Sequence, residues 1–190
     1  MRNRFYLIVL LCATSSAGFV SSAHAGFLDG QSLELRYDYP NNGTLYYGPV
    51  FFTVGPGVEA TEVPNSGGFD VDVSDSNILL TFLGNPNPSQ NNFGSAAFNG
   101  PRFIDYTSSI PAFGDAIINP ATTLSGFDAS RVSVTADEID VNLEGLSYNP
   151  GDEISLDVSP APEPTTLMLG LGGFASMVAF QKLRRKNTGQ

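Results

Sequence analysis

The sequence predicts an all-β fold, an antiparallel β-sandwich or jelly-roll-like single domain over residues 26–158. An N-terminal signal helix and a C-terminal transmembrane helix are expected to flank it. Three observations carry this. Apolar and polar residues alternate strictly in short runs, Gly- and Asn-rich turns separate those runs, and no segment keeps a helical period beyond two turns. Period two turns one face of a strand inward and leaves the other wet. In chain order the alternation falls on Leu33, Leu35 and Tyr37; Phe69, Val71 and Val73; Val132 and Val134; Ile139, Val141 and Leu143; and Ile154, Leu156 and Val158. Further strands are expected at 45–47, 50–54, 78–83 and 102–106, for a total of about nine to eleven. The intervening turns are Asn42-Gly43, Ser66-Gly67-Gly68, Asn99-Gly100 and Asn149-Pro150-Gly151-Asp152. Residues 131–158 form the clearest local unit, three strands following one another. Residues 84–98, with Pro86, Pro88 and many Asn and Ser, read as a long exposed loop of the kind that often carries function.

Both ends of the chain read as addresses. Arg2 and Arg4, a short apolar run, and small residues at Ala23 and Ala25 before Gly26 make a secretory signal peptide over 1–25, cleaved after Ala25. Residues 159–164 are a Pro-rich spacer, expected to be extended. The uncharged run 165–181 spans roughly 26 Å as a helix, just short of a hydrocarbon core of about 30 Å. The basic cluster Arg184, Arg185 and Lys186 would hold its far end on the cytoplasmic side. Behind a cleaved leader, this arrangement places the body outside the inner membrane.

The tripeptide Pro162, Glu163 and Pro164, the glycine-interrupted apolar segment after it, and the basic cluster together resemble the C-terminal sorting signal of the PEP-CTERM family. The resemblance covers residues 160–186. It implies recognition by exosortase, a membrane-embedded cysteine transpeptidase of Gram-negative bacteria that cuts near the tripeptide and releases or reattaches the body. Pro162, Glu163 and Pro164 would then be substrate residues of another enzyme. It also implies a link to exopolysaccharide or biofilm. Residues 121–131, with Phe98-Asn99-Gly100 before and Gly145-Leu146-Ser147-Tyr148 after, resemble a recurrent secreted β module attached to such tails. That module brings no activity with it.

Composition narrows the chemistry. All 19 acids lie between Asp29 and Glu163, where only Arg36, Arg102 and Arg131 oppose them, a net of −16. So acidic a body lacks the clustered cations that nucleic-acid binding needs. Loss of the leader removes Cys12 and His24, the only Cys and His, and no Lys precedes Lys182. A Ser-His-Asp triad, a thiol nucleophile, a Schiff base and a typical zinc site all lose their residues. Carboxylate chemistry of the glycosidase type remains as the minor enzymatic alternative, although the chain has no Trp to stack a sugar.

The expectation is therefore a non-enzymatic, exported protein: a membrane-anchored precursor in transient contact with the inner membrane, then a cell-surface or matrix component. Signal peptidase and exosortase are its processing partners. The alternative is a carbohydrate- or calcium-dependent binding module. For calcium, Asp70, Asp72 and Asp75 are the metal candidates, set against the plainer account of a solvated acidic strand face. Asp140, Asn142 and Glu144, with Asp137 and Glu138 at the entrance, form a second such stripe. For carbohydrate, Tyr37, Tyr39, Tyr46, Tyr47 and Tyr148 could make a stacking platform, against the commoner outcome of tyrosines buried at a sheet edge. Asn42-Gly43-Thr44 matches a glycosylation sequon, which a tight hairpin turn also explains.

Overall fold

The computed structural model describes residues 26–65 and 67–162. Ala23, Ala25, Glu163, Pro164, Arg184, Arg185 and Lys186 lie outside the described residues, as do the expected signal and transmembrane helices. Pro162 is at the exposed end of the described chain.

Among the described residues ten strands form the body: β1 (Ser32–Asp38), β2 (Leu45–Thr53), β3 (Val58–Val63), β4 (Phe69–Ser74), β5 (Asn77–Phe82), β6 (Gly100–Ile104), β7 (Phe113–Ile118), β8 (Val132–Val134), β9 (Glu138–Val141) and β10 (Glu153–Pro160). They make two five-stranded sheets, ordered β2-β1-β6-β9-β8 and β3-β4-β5-β10-β7. Every pairing is antiparallel. The only helical pieces described are 3-10 turns at Pro88–Gln90 and Ala129–Arg131.

The alternating residues do what their spacing predicts. Leu33 and Leu35, Phe69, Val71 and Val73, and Ile139, Val141 and Leu143 are all fully buried. Residues of both sheets share one core, and the Tyr37 and Phe69 rings meet across it at 6.2 Å. Burying an aliphatic or aromatic side chain of this size contributes about 1.5–3 kcal/mol.

The structure differs from the sequence expectation at three places. Residues 45–47 and 50–54 belong to one strand, β2, that runs through Gly48 and Pro49. β3 and β7 were not expected. Each lies at an edge of its sheet, and its pairing carries register shifts that break the alternation. The unit 131–158 is divided between sheets: β8 pairs β9 in one, whereas β10 lies between β5 and β7 in the other. β10 also continues through Ser159 and Pro160, so the spacer begins later than its composition suggests.

Candidate functional site

Where β1, β5 and β9 end and β2, β4 and β6 begin, their connecting loops surround a cleft of about 260 Å³. Aromatic side chains line it. Tyr39 and Tyr46 meet edge to face at 5.9 Å, and Tyr46 leans on Tyr37 at 6.2 Å. Tyr148 packs against Phe93 at 5.1 Å and Phe82 at 5.0 Å. Tyr37, Tyr148 and Phe93 are buried, whereas Tyr46 stays 57% exposed and Tyr39 37%. The structure thus brings four of the five candidate tyrosines together. Tyr47 is left out, half-buried against the core on the opposite side of β2.

Asparagines and backbone complete the lining: Asn65, Asn85, Asn92 and Asn99, with Gly67, Gly68 and Gly94. The Tyr37 hydroxyl donates to Asn99 Oδ1 at 2.6 Å, and Asn99 Nδ2 donates to the Gly94 carbonyl at 3.0 Å. The Tyr148 hydroxyl donates to the Gly67 carbonyl at 2.6 Å. Burial pushes the Tyr37 phenol well above its usual range, with Tyr148 and Tyr46 adding to it, and burial raises Tyr148 as well. Both phenols are therefore neutral at physiological pH. The long loop expected at 84–98 supplies Asn85, Asn92, Phe93 and Gly94. A bridge between Asn92 and Ser147 ties it to the loop bearing Tyr148.

Sequence reasoning missed the asparagines and Phe93. The signal was present, since Asn recurs at 85, 87, 91, 92 and 99. Only folding shows that Asn85, Asn92 and Asn99 among these line the cleft.

Behind the cleft, on the outer face of the first sheet, lies an ion cluster that composition did not reveal. Arg102 on β6 is opposite Asp140 on β9 and diagonal to Asp38 on β1. Its guanidinium donates to Asp38 Oδ2 at 2.7 Å, to Asp140 Oδ1 at 3.1 Å and to Glu138. Burial works against the Arg102 charge, but the bonds to Glu138, Asp38 and Asp140 outweigh it and hold its pKa above the ordinary value. Three carboxylates share this one cation. Asp38 Oδ1 is buried with no hydrogen-bond partner among the described residues. Glu138 is pushed up to about 7, by burial first and by its hydrogen bond with Asp140 second, against the pull of Arg102.

This cluster also anchors the β1–β2 hairpin. Asn42 Nδ2 donates to Asp140 Oδ2 at 2.7 Å, and the Gly43 amide donates to Asp38 Oδ2 at 2.6 Å. The same hairpin carries Tyr39 and Tyr46 to the cleft. In the sequon Asn42-Gly43-Thr44, the exposed Asn42 thus already donates its amide nitrogen to Asp140.

The acidic stripe on β9 is corrected by these contacts. Asp140 is 8% exposed and does not belong to a solvated face. Its counter-charge is Arg102, which lies far away in sequence. Asn142 Oδ1 accepts from the Asn99 and Glu144 amides, and Glu144 accepts from Ser95 Oγ. Asp137 accepts from Thr135 Oγ1. Asp70 and Asp72 lie on the outward side of β4, and Asp70 accepts from the Glu62 amide. Asp75 occupies the β4–β5 turn at φ 51°. Among the described residues no group of three or more acidic side chains is arranged to hold a metal ion, so Asp70, Asp72 and Asp75 are not drawn together.

Comparison with protein-family models, with curated proteins and with solved structures finds no match, so the functional reading rests on the chain's own residues.

Proposed function

We propose that this chain is an exported, non-catalytic protein of the cell surface or extracellular matrix. It is processed by exosortase at its C-terminal sorting signal, and its β body binds a partner and does not transform one. The observation that supports binding over catalysis is the lining of the cleft, which holds no carboxylate and no cation among the described residues. A glycosidase needs two carboxyls flanking the bond it cuts. The acid pair Glu138 and Asp140 does not line the cleft and is held by Arg102. Support for export and sorting comes from the leader and from the order of tripeptide, apolar segment and basic cluster.

The sorting half is tested by Glu163→Ala in a host that contains exosortase. The expected outcome is an unprocessed precursor in the inner membrane, seen by intact mass. A normal mature mass in that variant would remove the assignment. For the body, the gathering of Tyr37, Tyr39, Tyr46 and Tyr148 favours the carbohydrate form of the binding reading over the calcium-dependent one.

A further inference from the structure

Taking the body as a binding module, we propose that the cleft lined by Tyr46 and Tyr148 is a site for a neutral saccharide, one or two uncharged pyranose units of a polysaccharide. A pyranose has a C–H face that packs on an aromatic ring and an edge of hydroxyls that pair with amides. The cleft offers both at once. Tyr39 and Tyr46 stand exposed at the rim, where a ring can be stacked. Asn65, Asn85 and Asn92 also line it. Asn85 Oδ1 accepts from the Asn87 amide and Asn92 Nδ2 donates to the Ser89 carbonyl, and the remaining donor and acceptor positions of the three primary amides suit neighbouring hydroxyls. A volume of about 260 Å³ lies just below the range typical of drug-sized ligands, which suits one or two sugar rings better than a folded peptide.

The electrostatics select an uncharged sugar. No acidic or basic side chain lines the cleft among the described residues. The three cations of the body are all engaged internally: Arg36 with Glu34, Arg102 with its three carboxylates, and Arg131 with the Asn142 and Glu144 carbonyls. Nothing there can pair with a uronate, and a body of net −16 repels one.

The site is also built in advance. Tyr37, Asn99 and Gly94 are linked by hydrogen bonds beneath it, and the hairpin bearing Tyr39 and Tyr46 is pinned by Asn42 and Gly43 to the ion cluster. Pre-organisation lowers the ordering cost of binding, which matters most for a small polar ligand. An aromatic groove can instead hold a Pro-rich peptide. The amide-rich half of the lining favours the sugar, and the chain's own spacer leaves β10 at the far end of an eight-residue strand from this cleft.

The test uses the full-length protein in a polyoxyethylene detergent without sugar headgroups. The probes are immobilised neutral oligosaccharides of glucose, galactose, mannose and N-acetylglucosamine, uronate oligosaccharides, and a Pro-rich peptide. With no Trp in the chain, quenching of tyrosine fluorescence gives a second readout. The expected result is binding to at least one neutral oligosaccharide, weakened about tenfold by Tyr46→Ala. Gly94→Leu, which adds bulk at a lining residue, should weaken it as well: a Cβ there meets no atom within 4 Å, so the fold accepts the side chain. Both variants should unfold cooperatively like the parent, Tyr46→Ala losing only the stability of its ring contacts with Tyr37 and Tyr39. Tyr106→Ala, which removes an exposed ring elsewhere, should leave binding intact. Tyr46-dependent binding of uronates or of the peptide alone would overturn the neutral-sugar assignment while leaving the binding module standing. Sugar binding untouched by both cleft variants would also overturn it. Binding of none of the probes would remove the assignment and the binding reading together.

Discussion

Arg102 shows how one residue can set the character of a sheet face. It is directly opposite Arg36 on β1, a like-charge pairing that is unfavourable on its own, and the acids of both flanking strands offset it. Truncation would leave Asp38, 1% exposed, and Asp140 as buried charges without a counter-ion. Arg102→Ala should therefore cost about 3–5 kcal/mol in chemical denaturation. A loss near zero would show that water replaces the guanidinium. Glu138 in the same cluster has its pKa raised to about 7 in the folded chain, from an ordinary value of 4.5. The folded protein thus holds this proton more tightly than the unfolded chain does. Its contribution is complete below pH 4.5 and is lost as pH rises through about 7. Glu138→Gln should flatten the melting temperature across that window. An unchanged slope in the variant would sink the assignment.

At the level of elements, the strands written in clean alternation were legible from the chain alone, β4 as Phe69, Val71 and Val73 most plainly. β3 and β7 were not. In β3 only Ala60 and Val63 are buried, three positions apart, because bulges let the strand turn between them. In β7 the buried residues are Phe113 and Ala116, again three apart. Edge strands tolerate this irregularity because one side has no partner to keep in register. The link between β3 and β4 is also tight where it forms a wall of the cleft: a Cβ on Gly68 would sit 1.9 Å from the Val63 carbonyl oxygen. Gly68→Ala should cost about 1–3 kcal/mol and weaken any ligand of the cleft, because the wall has to move. Unaltered stability and binding would show that the loop yields without cost.

For the whole molecule, period-two alternation was enough to predict an all-β body. Alternation is a local property. It assigns each side chain to a face and says nothing about which strands become neighbours. That depended on how the loops let two sheets share one core, and β10 left β9 for the other sheet accordingly. Tertiary structure alone placed Tyr46 and Tyr148 on one cleft, and brought Arg102 to Asp38 and Glu138. Each of these pairs joins positions far apart in the chain, whose distance is set by strand register and by the hydrophobic core that both sheets must bury together.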